Sequence, residues 1–100
     1  MTEAEQDDSR RDAVAAAILA QLQAAGPGAS LSPDDIARGF AESRRRKSDP
    51  PDLWRRYLKA VRQQALHLAR AGEIVILRHG EPQDPHAPIK GLIRLALPQA

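Results

Sequence analysis

Residues 53–77 read LWRRYLKAVRQQALHLARAGEIVIL, and the spacing of their apolar positions changes once, at Gly72. Before that glycine, apolar residues recur at intervals of three and four. After it, Ile74-Val75-Ile76-Leu77 is a continuous, mostly β-branched run closed by Gly80. The pattern predicts a helix that opens at Pro51 or Asp52 and runs to about Ala71. Gly72 stops it, because glycine accepts the left-handed conformation that ends helices. Set at 100° steps, Leu53, Trp54, Tyr57, Leu58, Val61, Ala65, Leu68 and Ala69 fall inside one arc of about 160°. Arg55, Arg56, Lys59, Arg62, Gln63, His67 and Arg70 fill the opposite arc, broken only by Leu66. One flank of this helix is built for a core, and the other for water or a negatively charged ligand.

The N-terminal half supplies two more helices. Residues 1–8 carry Glu3, Glu5, Asp7 and Asp8 with no base, and read as an acidic flexible terminus. Ser9 is the expected cap of a first helix, with Asp12 three residues on in the capping-box position. Val14, Ile18, Leu19, Leu22 and Ala25 give that helix its apolar stripe, and Gly26-Pro27-Gly28 ends it. Ala29-Ser30-Leu31 is long enough only for an extended bridge or a minimal strand. Ser32-Pro33-Asp34-Asp35 then starts a second helix, with a hydroxyl cap, proline at the first helical position and acids in the first turn. It buries Ile36, Ala37 and Phe40 and ends before the Arg44–Pro51 loop.

Downstream, Glu81–Lys90 contains Pro82, Pro85 and Pro88 and reads as a loop. Gly91 introduces Leu92–Leu97, where Ile93, Leu95 and Leu97 share one face of a strand. Arg94 points away from that face, and Glu73 on the facing strand is its expected partner. Helix, bridge strand, helix, helix, strand, loop, strand is the order of an α+β winged helix. In it the second and third helices form a helix-turn-helix and a two-stranded β wing follows, all in one domain over residues 9–98. A hairpin is marginal alone in water, so the wing must share the helices' core. A different α+β domain, with the hairpin paired elsewhere, is the competing architecture.

An ordered series of short motifs carries a family resemblance: Ser32-Pro33-Asp34-Asp35-Ile36-Ala37-Arg38, Trp54-Arg55, Val61-Arg62 with Ala65 and Leu68, Ala71-Gly72-Glu73-Ile74, Gly80 through Asp84-Pro85, and Gly91-Leu92-Ile93-Arg94. Together they resemble the small bacterial family called domain of unknown function 3253, over roughly residues 12–97. The resemblance implies a winged-helix fold and no established activity. The Arg44–Asp52 run departs from the pattern in being longer and more basic.

Charge carries the functional signal. The chain is only +2 overall, yet from Arg38 to Arg70 ten Arg and Lys stand against three acids. Such concentration points to a polyanionic partner: nucleic acid, DNA before RNA, or failing that an acidic protein. In a helix-turn-helix the second helix enters the major groove, so Arg55, Lys59, Arg62 and Gln63 are the expected contacts there. Arg44, Arg45, Arg46 and Lys47 are expected on phosphates, which a flexible basic run meets without sequence preference. In the wing, Arg78 and Lys90 complete the set, with His79 and His86 nearby, opposed by Glu81 and Asp84.

Catalysis finds little support. There is no cysteine, no Gly-rich phosphate loop and no Ser/His/Asp set, and the three histidines lack companions at metal-ligand spacing. No catalytic residue, cofactor or metal is therefore expected. Nor is a membrane span or export signal, because the terminus is acidic and Gln21 and Gln23 interrupt the apolar stretch. A bacterial cytoplasmic DNA-binding protein, monomeric or homodimeric, is the expectation, transcriptional regulation being one role that fits. A protein-interaction module on the same scaffold is the alternative.

Overall fold

The computed structural model describes residues 12–98. In chain order it comprises α1 (Ala13–Ala25), β1 (Ser30–Leu31), α2 (Pro33–Ser43), a 3₁₀ turn (Leu53–Tyr57), α3 (Leu58–Arg70), β2 (Val75–Arg78), β3 (Glu81–Pro82) and β4 (Arg94–Ala96). It is an α+β arrangement of three helices and one four-stranded antiparallel sheet, ordered β1-β4-β2-β3. This order and pairing are compatible with the winged-helix expectation. Among the described residues, no helix is long and apolar enough to cross a membrane.

Each helix ends where its local chemistry requires. Asp12 caps α1: its carboxylate accepts the Val14 N–H at 2.7 Å. Ser9 lies outside the described residues. At α2 the expected start is complete as a reciprocal capping box. Ser32 Oγ accepts the Asp35 N–H at 3.0 Å, and Asp35 Oδ2 accepts the Ser32 N–H at 3.1 Å. Ser32→Ala is expected to cost about 1 kcal/mol in urea denaturation. At the end of α3, the Glu73 N–H donates to the Leu68 carbonyl and the Gly72 N–H to the Ala69 carbonyl. Gly72 sits at φ 78°, the left-handed value this double cap needs.

The capping box also sets a pH dependence. The Ser32 backbone N–H holds the Asp35 carboxyl below its ordinary pKa, against slight desolvation, with help from the Ser32 side chain and the fields of Arg94 and Arg38. A depressed folded-state pKa means that folding favours the ionised form. Its stabilisation is present above the unfolded-state pKa, near 4 for Asp, and disappears as pH falls through the folded one. Asp35→Asn is expected to lose less stability than the parent protein between about pH 6 and about pH 3, compared by urea midpoints.

Ile18 and Leu22 of α1, Ile36 of α2, Val61 and Leu68 of α3 and Leu95 of β4 are essentially inaccessible, and they pack as one cluster with Phe40 and Ile76. The sheet is therefore continuous with the helical core. Leu95 lies opposite both Leu31 and Ile76, which places β4 in the interior of the sheet.

Three expectations are corrected. The third helix is not continuous from Asp52. Leu53–Tyr57 is a 3₁₀ turn, and the Asp52 side chain makes no capping bond. Aromatic residues are indifferent helix formers. Here Tyr57 meets Phe40 edge-on at 4.9 Å while Trp54 packs against the core. The Glu81–Lys90 loop begins as strand β3. His79 and Gly80, both at positive φ, close a two-residue turn between paired Arg78 and Glu81. Pro82 is tolerated because β3 is an edge strand. Strand β4 starts at Arg94 rather than Leu92, whose side chain is 89% exposed. In addition, Arg94 reaches Ser30: its Nε donates to Ser30 Oγ and its Nη2 to the Ser30 carbonyl, both at 2.7 Å. The β1–β4 pairing brings those groups together across the sheet.

Candidate nucleic-acid interface

Helix α3 divides as its periodicity requires. Val61, Ala65, Leu68 and Ala69 are buried, whereas Lys59, Arg62, Gln63, His67 and Arg70 are exposed. Among the described residues, no acid forms an ion pair with Lys59 or Arg62. These cations are neither covered nor neutralised by the described part of the chain.

Arg55 is exposed but belongs to a different neighbourhood. A 3₁₀ turn advances about 120° per residue against 100° in an α-helix, so Arg55 is rotated by roughly 40° from its place in a continuous helix. Its guanidinium lies 5.5 Å from the Trp54 ring centroid, and Arg38 of α2 approaches the same ring at 4.4 Å. Trp54 is half-buried against the core and carries two cations on its accessible part.

The Arg44–Lys47 run is exposed and more ordered than a flexible basic tail. Asp49 Oδ2 accepts the Arg46 N–H at 2.7 Å, while the Asp49 N–H returns to the Arg46 carbonyl at 3.0 Å, closing a turn. Arg44 lies over the Phe40 ring at 4.6 Å, and Arg45 contacts Glu42 at 3.5 Å. Only Arg46 and Lys47 keep charged ends without a partner among the described residues.

At the end of β2 and in the loop before β4, Arg78 and Lys90 are both exposed. The Arg78 guanidinium lies against the Gly91 backbone, so close that a methyl group on Gly91 would come within 3.3 Å of it. Glu81 pairs with Arg78 in the ladder, which dilutes the positive charge at the tip. Asp84 is used locally, its carboxylate accepting the His86 N–H at 2.9 Å.

Between α3 and the β3–β4 loop runs a groove of about 500 Å³. Arg62, Gln63, Leu66 and Arg70 form its helical wall, with Ile76 and Ile93 below and His86 to Ile89 opposite. Arg70 fastens the two walls, donating from Nε to the Pro85 carbonyl at 2.9 Å. Arg70 and His86 thus join Arg62 and Gln63, although neither belonged to the expected contact set. Arg70 did lie on the basic arc; the carbonyl it holds is fifteen residues away and invisible to periodicity. The expected residues therefore form four groups: the turn after α2, Arg55 beside Trp54, the face of α3, and Arg78 with Lys90 beyond it.

A family profile covers residues 11–98, and so all of the described residues. The chain belongs to the family described as protein of unknown function (DUF3253). No curated protein matches it. For this DUF3253 member the resemblance drawn from the sequence holds at the level of the family. The matched segment contains every helix and strand described above, together with the Arg44–Lys47 turn and the β3–β4 loop.

Proposed function

We propose that this chain is a winged-helix nucleic-acid-binding module that uses the exposed face of α3 on duplex DNA. Helices α2 and α3 act as the helix-turn-helix, and β2 to β4 with their connecting loop act as the wing. One observation carries the reading: Lys59, Arg62 and Gln63 project from a helix whose other side is core, with no acid of the described chain paired to the two cations. Arginine and lysine at such positions reach phosphates or guanine O6 and N7, and glutamine can pair with adenine. Arg46, Lys47 and Lys90 add sequence-independent attraction. Transcriptional regulation in the bacterial cytoplasm is the role this chemistry serves.

The test is a fluorescence-anisotropy titration of a labelled duplex at about 50 mM and about 200 mM salt. Micromolar or tighter binding that weakens steeply with salt is expected, as counterion release requires. Absence of binding at micromolar protein in the low-salt arm would refute it. The apolar floor of the groove favours a second reading, docking of an acidic protein on the same face. That reading expects no DNA affinity at either salt concentration.

A further inference from the structure

Leu66 is the one apolar residue on the basic arc of α3, and binding of phosphates gives it no role. Its neighbours on the same stripe are Arg62 and Arg70, four residues to either side. The three side chains therefore follow one line about 12 Å long, cation, apolar, cation. Across from that line Ile76, Ile89 and Ile93 complete an aliphatic lining with Leu66, and among the described residues no carboxylate lines the groove. We propose that this groove binds a small aliphatic carboxylate.

The geometry meets both halves of such a ligand. The volume of about 500 Å³ falls within the range of small-molecule sites, roughly 300–1,000 Å³. Arg70 is held in place because its Nε is already bonded to the Pro85 carbonyl, which leaves its two terminal nitrogens as a fork. A guanidinium fork suits a carboxylate better than a single point charge does. The same bond ties the loop to the helix, so the groove is a bounded trough rather than an open sheet face. Arg62 offers a second cation at the other end, with Gln63 beside it as a hydrogen-bond donor. The chain of the ligand lies over Leu66 and the three isoleucines.

Occupancy covers Arg62 and Gln63, so the carboxylate and DNA exclude each other. Only this consequence rests on the nucleic-acid reading; binding of the carboxylate does not.

The probe is octanoate, added to the full chain without nucleic acid and followed by amide chemical shifts and calorimetry. Saturable one-to-one binding at millimolar ligand is expected, with shifts clustered at residues 62–70 and 86–93. Hexanoate should bind about tenfold more weakly, because each methylene contributes roughly three- to fourfold. Arg70→Lys, which gives up the fork, and 1-octanol in place of octanoate, should each weaken binding about tenfold, the scale of one charge-assisted hydrogen bond. Leu66→Gln should weaken octanoate without altering the helical circular dichroism. No saturation, equal affinity for 1-octanol, or shifts located elsewhere would overturn the site. With the DNA duplex present, octanoate should lower the apparent DNA affinity relative to equimolar acetate; unchanged affinity would overturn the exclusion while the site itself stands.

Discussion

Leu95→Ala is expected to lower the unfolding free energy by about 3 kcal/mol, because it empties a fully buried volume that its neighbours cannot refill. Leu95 sits on the strand between β1 and β2 and joins the sheet to the helical cluster. Its removal therefore loosens the sheet and the helices together. A domain of this size is stable by only about 5–10 kcal/mol, so the melting temperature should drop by more than about 10 °C. Trp54, the single tryptophan, reports the transition by fluorescence. Leu92→Ala is the internal comparison. At 89% exposure Leu92 contributes little, and the change should stay within about 0.5 kcal/mol. Equal destabilisation at the two positions would mean that the sheet does not share the helical core.

Lys59→Glu combined with Arg62→Glu is expected to weaken DNA binding at least about a hundredfold, since each reversal removes one attraction and adds a repulsion, roughly tenfold apiece or more. The slope of log affinity against log salt should shrink by about 2, one unit for each phosphate that is no longer neutralised. Helicity should not change, because both side chains are exposed and unpaired within the described chain. Arg55 is a poorer choice for this test despite its sequence spacing, because the 3₁₀ turn carries it toward Trp54. Arg45→Ala, which removes a cation already opposite Glu42, should change affinity about twofold or less.

The division of α3 into buried and exposed sides was legible because burial in a helix follows a fixed period. Val61, Ala65 and Leu68 had no alternative direction to face. The capping box of α2 was equally legible, since Ser32 and Asp35 act within one turn of chain. Features that depend on residues distant in sequence were not. The 3₁₀ start of the third helix accompanies the packing of Tyr57 on Phe40, a tertiary contact that periodicity cannot register. Strand β3 left no pattern in the sequence because it is two residues long, contains a proline and follows a turn in which His79 takes a position usually held by Asn or Gly. The partnership of Arg94 with Ser30 spans 64 residues and depends on the β1–β4 register. For the basic segment after α2, charge was visible but the ordering by Asp49 was not. For the groove, the single advance signal was Leu66, an apolar residue out of place on a basic arc.

Amide chemical-shift mapping with a short duplex at low salt tests most directly whether α3 is the surface that meets nucleic acid. Perturbations should concentrate on residues 59–70, with smaller changes over 78–90 and none along the buried side of α1. Changes confined to residues 44–49, or spread evenly over all three helices, would contradict recognition by α3.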